Sequence, residues 1–221
     1  MSRLGALILL GGGGHAAVVA EAASAAGWRI EGYLDDGAEA GRLPASRIDL
    51  QRLGAIADLA RVVESAGRDC AVHAAVGDGR LRRDWLAMAS DIGLGAPPVV
   101  HPSAVLSPSA TLGGGVFVGP RAVVNAGANV GEGVIVNSGA IIEHDCEIGP
   151  FSHIAPGSVL GGGVVVGESV LVGIGSTVRP RVRIGSLAIV GAGAAVIGDV
   201  PEGVTVLGVP AAVAADASGS G

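Results

Sequence analysis

Two of the chain's five histidines and three of its carboxylates fall within one short stretch, IIEHDCEIGPFSH, residues 141–153. His144 stands between Glu143 and Asp145, with Glu147 and His153 shortly after. An imidazole, whose ordinary pKa is about 6.5, accepts a proton at neutral pH, and a neighbouring carboxylate makes it a better base. A second cluster, GGGGH, follows an apolar run: Gly11, Gly13 and Ala16 fit the pattern GxGxxG/A. Amides at such a turn, opening a helix, can cradle phosphate. The acidic pair Asp35 and Asp36 lies about 20 residues on, where a ribose or base would be held. GDGRLR, with Gly77 and Arg80, forms a third turn able to complete that pocket, although a solvated helix face also accounts for Arg80, Arg82 and Arg83.

These residues need elements to position them. Every sixth residue from Val100 to Val196 is aliphatic, and four places after each comes a small side chain, without a gap. A period of six fits neither an amphipathic helix nor a hairpin meander, but suits a triangular parallel β-helix. Each aliphatic side chain then points into the prism, worth roughly 1.5–3 kcal/mol apiece before chain entropy is subtracted. Glycine commonly follows the aliphatic residue, as at Gly113, Gly119 and Gly161, where a corner needs a small or unusual backbone. In this register Cys146 points inward, His144 faces outward, and His153, half a coil further on, emerges on another side. Successive strand residues point to opposite faces, so Asp145 reaches His144 only if the chain bends there.

Residues 1–98 lack the repeat. GALILL, IEGYL and CAVHA read as buried parallel strands, AAVVAEAASAAG as a helix ended by Gly27, and RLRRDWLAMASDIG as another stopped at Gly93. The expectation is a small parallel α/β domain over 1–98, a β-helix over 99–200 and a loop and tail over 201–221. So short an α/β unit has no room for the two halves of a dinucleotide fold, but fits one sugar nucleotide.

Composition agrees with this plan. Only 2% of residues are aromatic and 39 are glycine, which favours a repetitive core of small aliphatic side chains. A net charge of -6 excludes a nucleic-acid backbone or anionic membrane as partner. Cys70 and Cys146 form no paired motif, which suits a reducing cytoplasm. Four glycines, His15 and Glu21 interrupt the N-terminal apolar run where a secretory signal would continue, and no run reaches the ~18 residues of a membrane span.

The hexad repeat resembles that of the left-handed β-helix acyltransferases, which are usually trimers. GGGGH, YLDD, VGDGRLR, HPSA, NSGAIIEHDCEIGPFSHIAPG and GVPA, in that order, resemble one subfamily: bacterial nucleotide-sugar N-acetyltransferases and sialic-acid O-acetyltransferases. The resemblance implies a cytoplasmic homotrimer that transfers acetyl from acetyl-CoA to the amine of a UDP- or GDP-linked 4-amino-4,6-dideoxy sugar. It implies His144 as base and Asp145 as the acid beside it, where relatives more often carry glutamate. Gly13, Gly14, His15, Asp35, Asp36, Gly77, Arg80 and Asn137 would contact the nucleotide sugar. His153, Gly162, Ile174 and Ala192 would contact acetyl-CoA. Sugar O-acetylation and non-catalytic nucleotide-sugar binding are alternatives on the same scaffold. The resemblance also extends to β-helical zinc carbonic anhydrases, but His101, His144 and His153 are spaced unlike their ligands, and no metal is expected.

Overall fold

The computed structural model describes residues 4–37, 48, 50–66 and 70–214. β1 (Ala6–Leu10), α1 (Gly14–Ala26), β2 (Arg29–Leu34), β3 (Arg52–Gly54), α2 (Leu59–Ala66), β4 (Cys70–Ala74) and α3 (Gly79–Asp91) come first. The four strands form a parallel sheet in the order β3-β2-β1-β4. Alanine-rich α1 ends at Gly27, whose φ of 100° lets its amide turn back to the Ala23 and Ser24 carbonyls. Asp78 caps α3, its carboxylate accepting the amides of Arg80 at 2.8 Å and Leu81 at 3.2 Å. Residues 38–47 and 49 and the tail 215–221 lie outside the described residues.

From Val99 a two-residue strand begins at every sixth position, β5 (Val99–Val100) through β21 (Ala195–Val196). Partners lie 18 residues apart, as with Ile135 and His153, so three strands make one coil of a left-handed parallel β-helix. Val118, Val136, Ile154 and Val172 stack inside one wall, and their equivalents fill the other two. Buried serines in the small positions are satisfied internally: Ser152 Oγ donates to the Gly167 carbonyl at 2.8 Å, and Ser176 Oγ to that of Gly173 at 2.7 Å. The last coil is two residues short, since Val200 bridges to Ile184 and β22 (Thr205–Leu207) pairs with β20 (Ile189–Val190). β23 (Ala212–Val213) then adds an antiparallel edge.

Glycines after the aliphatic residue serve packing rather than dihedral freedom. A Cβ on Gly113 would come within 2.7 Å of the Glu132 nitrogen in the next coil, and one on Gly119 within 2.9 Å of the Ser138 nitrogen. Left-handed backbone falls two residues later, at every sixth position from Gly115 to Gly193, and Asp145 occupies one of these places with φ 58°.

The prism has three unlike faces. Val99, Phe117 and Ile135 on the first share a core with Leu7, Leu9, Val19 and Tyr33, so the α/β sheet and α1 dock there. Thr111, Asn129, Glu147 and Arg183 make a second face polar and exposed. The third carries Val105, Val123, Ile141, Val159 and Ala195 outward, none of them buried, with Val105 60% exposed. No described helix is long and apolar enough to cross a membrane.

Candidate active site

His144 lies at the edge between the bare apolar face and the polar face, in the turn after β12 (Ile141–Ile142). Left-handed backbone at Asp145 supplies the bend that an extended strand would lack, and aspartate adopts that conformation more readily than most residues. Its Oδ2 approaches His144 Nδ1 to 2.8 Å. An ionised carboxylate only accepts, so Nδ1 carries the proton and Nε2 keeps a lone pair. Nε2 lies over Gly162, one coil on, where a Cβ would come within 2.5 Å of it. The Gly162 amide has no partner among the described residues, whereas its neighbours Gly161 and Gly163 donate to Val178 and His144 carbonyls. Gly162→Ala is therefore expected to push the imidazole aside and, where that ring serves as a base, to cut kcat by at least about tenfold, because small misplacements of a reacting group are costly. Steady-state kinetics and an unchanged melting curve would separate this from unfolding.

Glu143 is a member of this group that sequence reasoning did not single out. Its Oε2 accepts from Asn125 Nδ2 at 3.0 Å and from the His144 amide at 3.2 Å, bracing the turn from the preceding coil. The 18-residue separation of Asn125 and Glu143, one coil, was the available signal.

A second group gathers at the carboxyl ends of β1 and β4. Gly11 and Gly12 are packing glycines: Cβ atoms there would meet the Ala75 carbonyl oxygen at 3.0 Å and the Tyr33 ring at 2.6 Å. Gly13, Gly14 and Gly77 differ, since a Cβ on any of them would meet nothing within 4 Å. Their bareness leaves open space in front of the first amides of α1, which have no intrahelical partners. Asp35 is tied to this turn, accepting from the Gly12 amide at 2.8 Å and the Gly37 amide at 2.7 Å. Asp36 accepts from the Ile56 amide at 2.9 Å. Each carboxylate oxygen retains capacity for a further donor. Between Gly77–Arg80 and the β-helix lies an open cavity of about 460 Å³, lined also by Phe151, His153 and Leu171. His153 Nε2 is 3.0 Å from Asn137 Nδ2, and the Asn137 Oδ1 accepts the Ser138 amide at 2.8 Å. That orientation makes Asn137 the donor and places the proton of neutral His153 on Nδ1.

Ile174 and Ala192 fall on neither His144 nor its edge. They stack on the other edge of the bare face, in line with Asn137 and Ser138, and their amides too are unpartnered among the described residues. His101 belongs to that edge as well, where its Nδ1 is 2.8 Å from Ser103 Oγ.

A family profile described as "PglD N-terminal domain" matches residues 6–89, and one described as "Bacterial transferase hexapeptide (six repeats)" matches 127–162. The acetyltransferase domain of PglB from Neisseria gonorrhoeae, solved with acetyl coenzyme A, is 37% identical over 95% of this chain and 98% of its own, with a TM-score of 0.86. PerB from Caulobacter crescentus, solved with CoA and GDP-perosamine, is 38% identical over 96% and 99%, with a TM-score of 0.87. This chain belongs to the PglD-type nucleotide-sugar acetyltransferases. WeeI from Acinetobacter baumannii, at 22% identity over 94% and 99% and a TM-score of 0.83, shares the fold. No curated protein matches.

In this PglD-type chain the two halves are joined by a residue the sequence made look like part of a solvated helix face. Arg82 is 1% exposed. Its guanidinium donates to the Val76 and Gly77 carbonyls at 3.1 and 2.7 Å, and across the joint to those of Gly133, Phe151 and Ser152 at 2.7, 2.5 and 3.3 Å. Burial lowers its pKa to about 10, which leaves it charged at neutral pH. Arg83 is also engaged, pairing with Glu168 and lying 5.1 Å from the Phe151 ring centre, whereas Arg80 is exposed and lines the cavity.

His15 packs its ring edge-to-face on Phe117 at 5.3 Å, with Nε2 buried and unpartnered among the described residues. His73, on β4, approaches the same phenyl ring at 6.2 Å. Burial, then the nearby His153 and Arg82, lowers His15 to about 4. Burial, His15 and Arg82 lower His73 to about 3, and burial and Arg82 lower His153 to about 4. All three titrate below their unfolded value, so the unfolded chain binds more protons in acid. Their contribution is full above the 6.5 of free histidine and is lost as pH falls toward 4. The unfolding free energy from urea titrations should drop over that window, by up to about 1.4 kcal/mol per pH unit per histidine. His73→Leu should flatten the slope.

Proposed function

We propose that this protein transfers an acetyl group from acetyl-CoA to the amine of a nucleotide-linked 4-amino-4,6-dideoxy sugar, with His144 as general base. The observation carrying this reading is the His144–Asp145 pair, 2.8 Å apart, set over the free Gly162 amide. The two ligands are those named for the relatives, acetyl-CoA for PglB and CoA with GDP-perosamine for PerB.

The sugar amine is attacked-ready only when unprotonated, and an amine with a pKa near 8 is largely ammonium at neutral pH. One proton therefore leaves to solvent on binding. As the amine nitrogen bonds to the thioester carbonyl carbon, His144 Nε2 takes a second N–H proton, while Asp145 holds Nδ1–H and steadies the imidazolium. The Gly162 amide faces the developing oxyanion. Collapse breaks the carbon–sulfur bond, and the proton on Nε2 goes to the departing thiolate. The products are the amide and CoA. Asp145→Asn should lower kcat about tenfold or more, because the carboxylate no longer accepts from Nδ1 and holds the ring in place.

In this reading residues 1–98 hold the nucleotide, with phosphates on the Gly13–Gly14–His15 turn, Asp35 and Asp36 toward the ribose or base, and Gly77 and Arg80 closing the pocket. Residues 99–200 hold the thioester, and the described part of the C-terminal loop, 201–214, closes the far end. The bare face requires a partner of equal character, and three copies joined through it around a threefold axis bring the His144 edge of one protomer against the Asn137 edge of the next. His144 and Gly162 would then share a groove with Asn137, Ile174 and Ala192 of a neighbouring copy. Work in the cytoplasm, as a trimer without metal, completes the proposal. Thiol release from acetyl-CoA, measured against a panel of UDP- and GDP-linked 4-amino-4,6-dideoxyhexoses, tests it; no release with any of them would defeat it.

A further inference from the structure

One corner of the prism carries Ser107, Asn125, Glu143, Gly161 and Arg179 in successive coils, and each of their amides bonds alike to the coil after it. The residues that follow them are Pro108, Ala126, His144, Gly162 and Pro180. The two prolines have no N–H. Asn125 Oδ1 accepts the Ala126 amide at 2.9 Å and Glu143 Oε2 that of His144 at 3.2 Å, so both amides are covered by the side chain before them. Gly161 has no side chain, and a Cβ there would stand 2.7 Å from the Pro180 nitrogen. In this column Gly162 therefore keeps its amide open among the described residues.

On the covered side of this break the column is linked from coil to coil. Asn125 Nδ2 donates at 3.0 Å to the same Glu143 oxygen that accepts the His144 amide, and Asn125 is kept in that orientation because its Oδ1 is taken by Ala126. A brace has a purpose at this point. The His144 and Asp145 side chains are 62% and 74% exposed, and a pair so open to water holds its geometry only weakly. What keeps Nε2 over Gly162 is therefore the backbone turn, which Glu143 ties down at the His144 amide itself.

We infer that Glu143 is a positioning residue for acetyl transfer, buttressed by Asn125 and acting through His144, whose ring it keeps over the open amide of the column. The inference rests on the reading of His144 as the base. Both bonds to Glu143 need an accepting oxygen rather than a charge, so glutamine can stand in for it. The test is steady-state transfer from acetyl-CoA to whichever amino sugar of the panel above turns over, by the full chain carrying Glu143→Ala, Glu143→Gln, Asn125→Ala, or Glu143→Ala together with Asn125→Ala or His144→Asn. Glu143→Ala should lower kcat about tenfold while both KM values stay within about twofold, since a misplaced base costs rate rather than binding. Asn125→Ala should show a smaller loss of the same kind, and it carries the comparison if alanine at 143 melts early. Glu143→Gln should restore most of the rate. The double variants should be no slower than Glu143→Ala alone and His144→Asn alone, respectively, because the three side chains act as one unit. A Glu143→Ala enzyme within about twofold of wild-type kcat, a glutamine variant as slow as the alanine one, or a loss that multiplies with that of His144→Asn would overturn the positioning role and leave the base in place. Full activity in His144→Asn would instead defeat the reading of the base, and the inference with it.

Discussion

Replacing His144 by asparagine is expected to lower kcat for acetyl transfer by about 10²- to 10⁴-fold, the usual worth of a positioned general base. The ring is 62% exposed in the single chain and contributes little to the core, so the variant should fold and melt as wild type does. Asparagine keeps a polar group of similar reach over Gly162 but accepts no proton at neutral pH. The loss should therefore appear in kcat more than in either KM. A variant retaining a third or more of wild-type kcat would remove His144 from the chemistry and leave positioning as the source of the rate.

The largest effect on stability is expected at Arg82. Arg82→Met keeps the length and apolar stem but leaves five carbonyl groups, two in the β4–α3 turn and three on the β-helix, without their shared donor. The Ser152 carbonyl keeps the Ile135 amide at 3.0 Å, but losing the buried charged donor and leaving the Gly133 and Phe151 carbonyls unpaired is worth roughly 3–5 kcal/mol. Lysine should rescue only in part, because three donors on a point charge do not reproduce a planar fork. Chemical denaturation would give the loss, and hydrogen exchange should locate it at residues 76–82 and 133–153. Since Gly77 borders the cavity beside His153, KM for the nucleotide sugar should rise as well. A melting curve unchanged from wild type would show that Phe117, Ile135 and their partners hold the two halves together unaided.

Much of the site was legible because a β-helix is built from local rules. A six-residue period determines which side chains enter the prism, so the inward course of Cys146 and the outward course of His144 follow from counting. Even the bend at Asp145 left a trace: its column is mostly glycine, as at Gly127, Gly133, Gly139, Gly157 and Gly163, all with positive φ. An aspartate standing in a glycine column marks a place where the backbone turns left-handed, and that turn brings the carboxylate back onto the imidazole.

Arg82, His15 and His73 were not legible in that way. Periodicity along α3 distinguishes a buried face from an exposed one only for the sheet beneath it, and the far face of α3 is covered by a β-helix more than fifty residues away in sequence. For the same reason nothing beside its own glycines shows that His15 packs against Phe117, a hundred residues on. The sequence by itself determined the prism, the α/β unit and the residues at each corner, since hexad and strand–helix patterns are short-range and repeat their own confirmation. Only the tertiary structure decided how the two units dock, which histidines are buried and neutral, and which arginine is a clip rather than a surface charge. Those properties depend on desolvation by distant segments, and no local pattern encodes the surface that will cover a side chain.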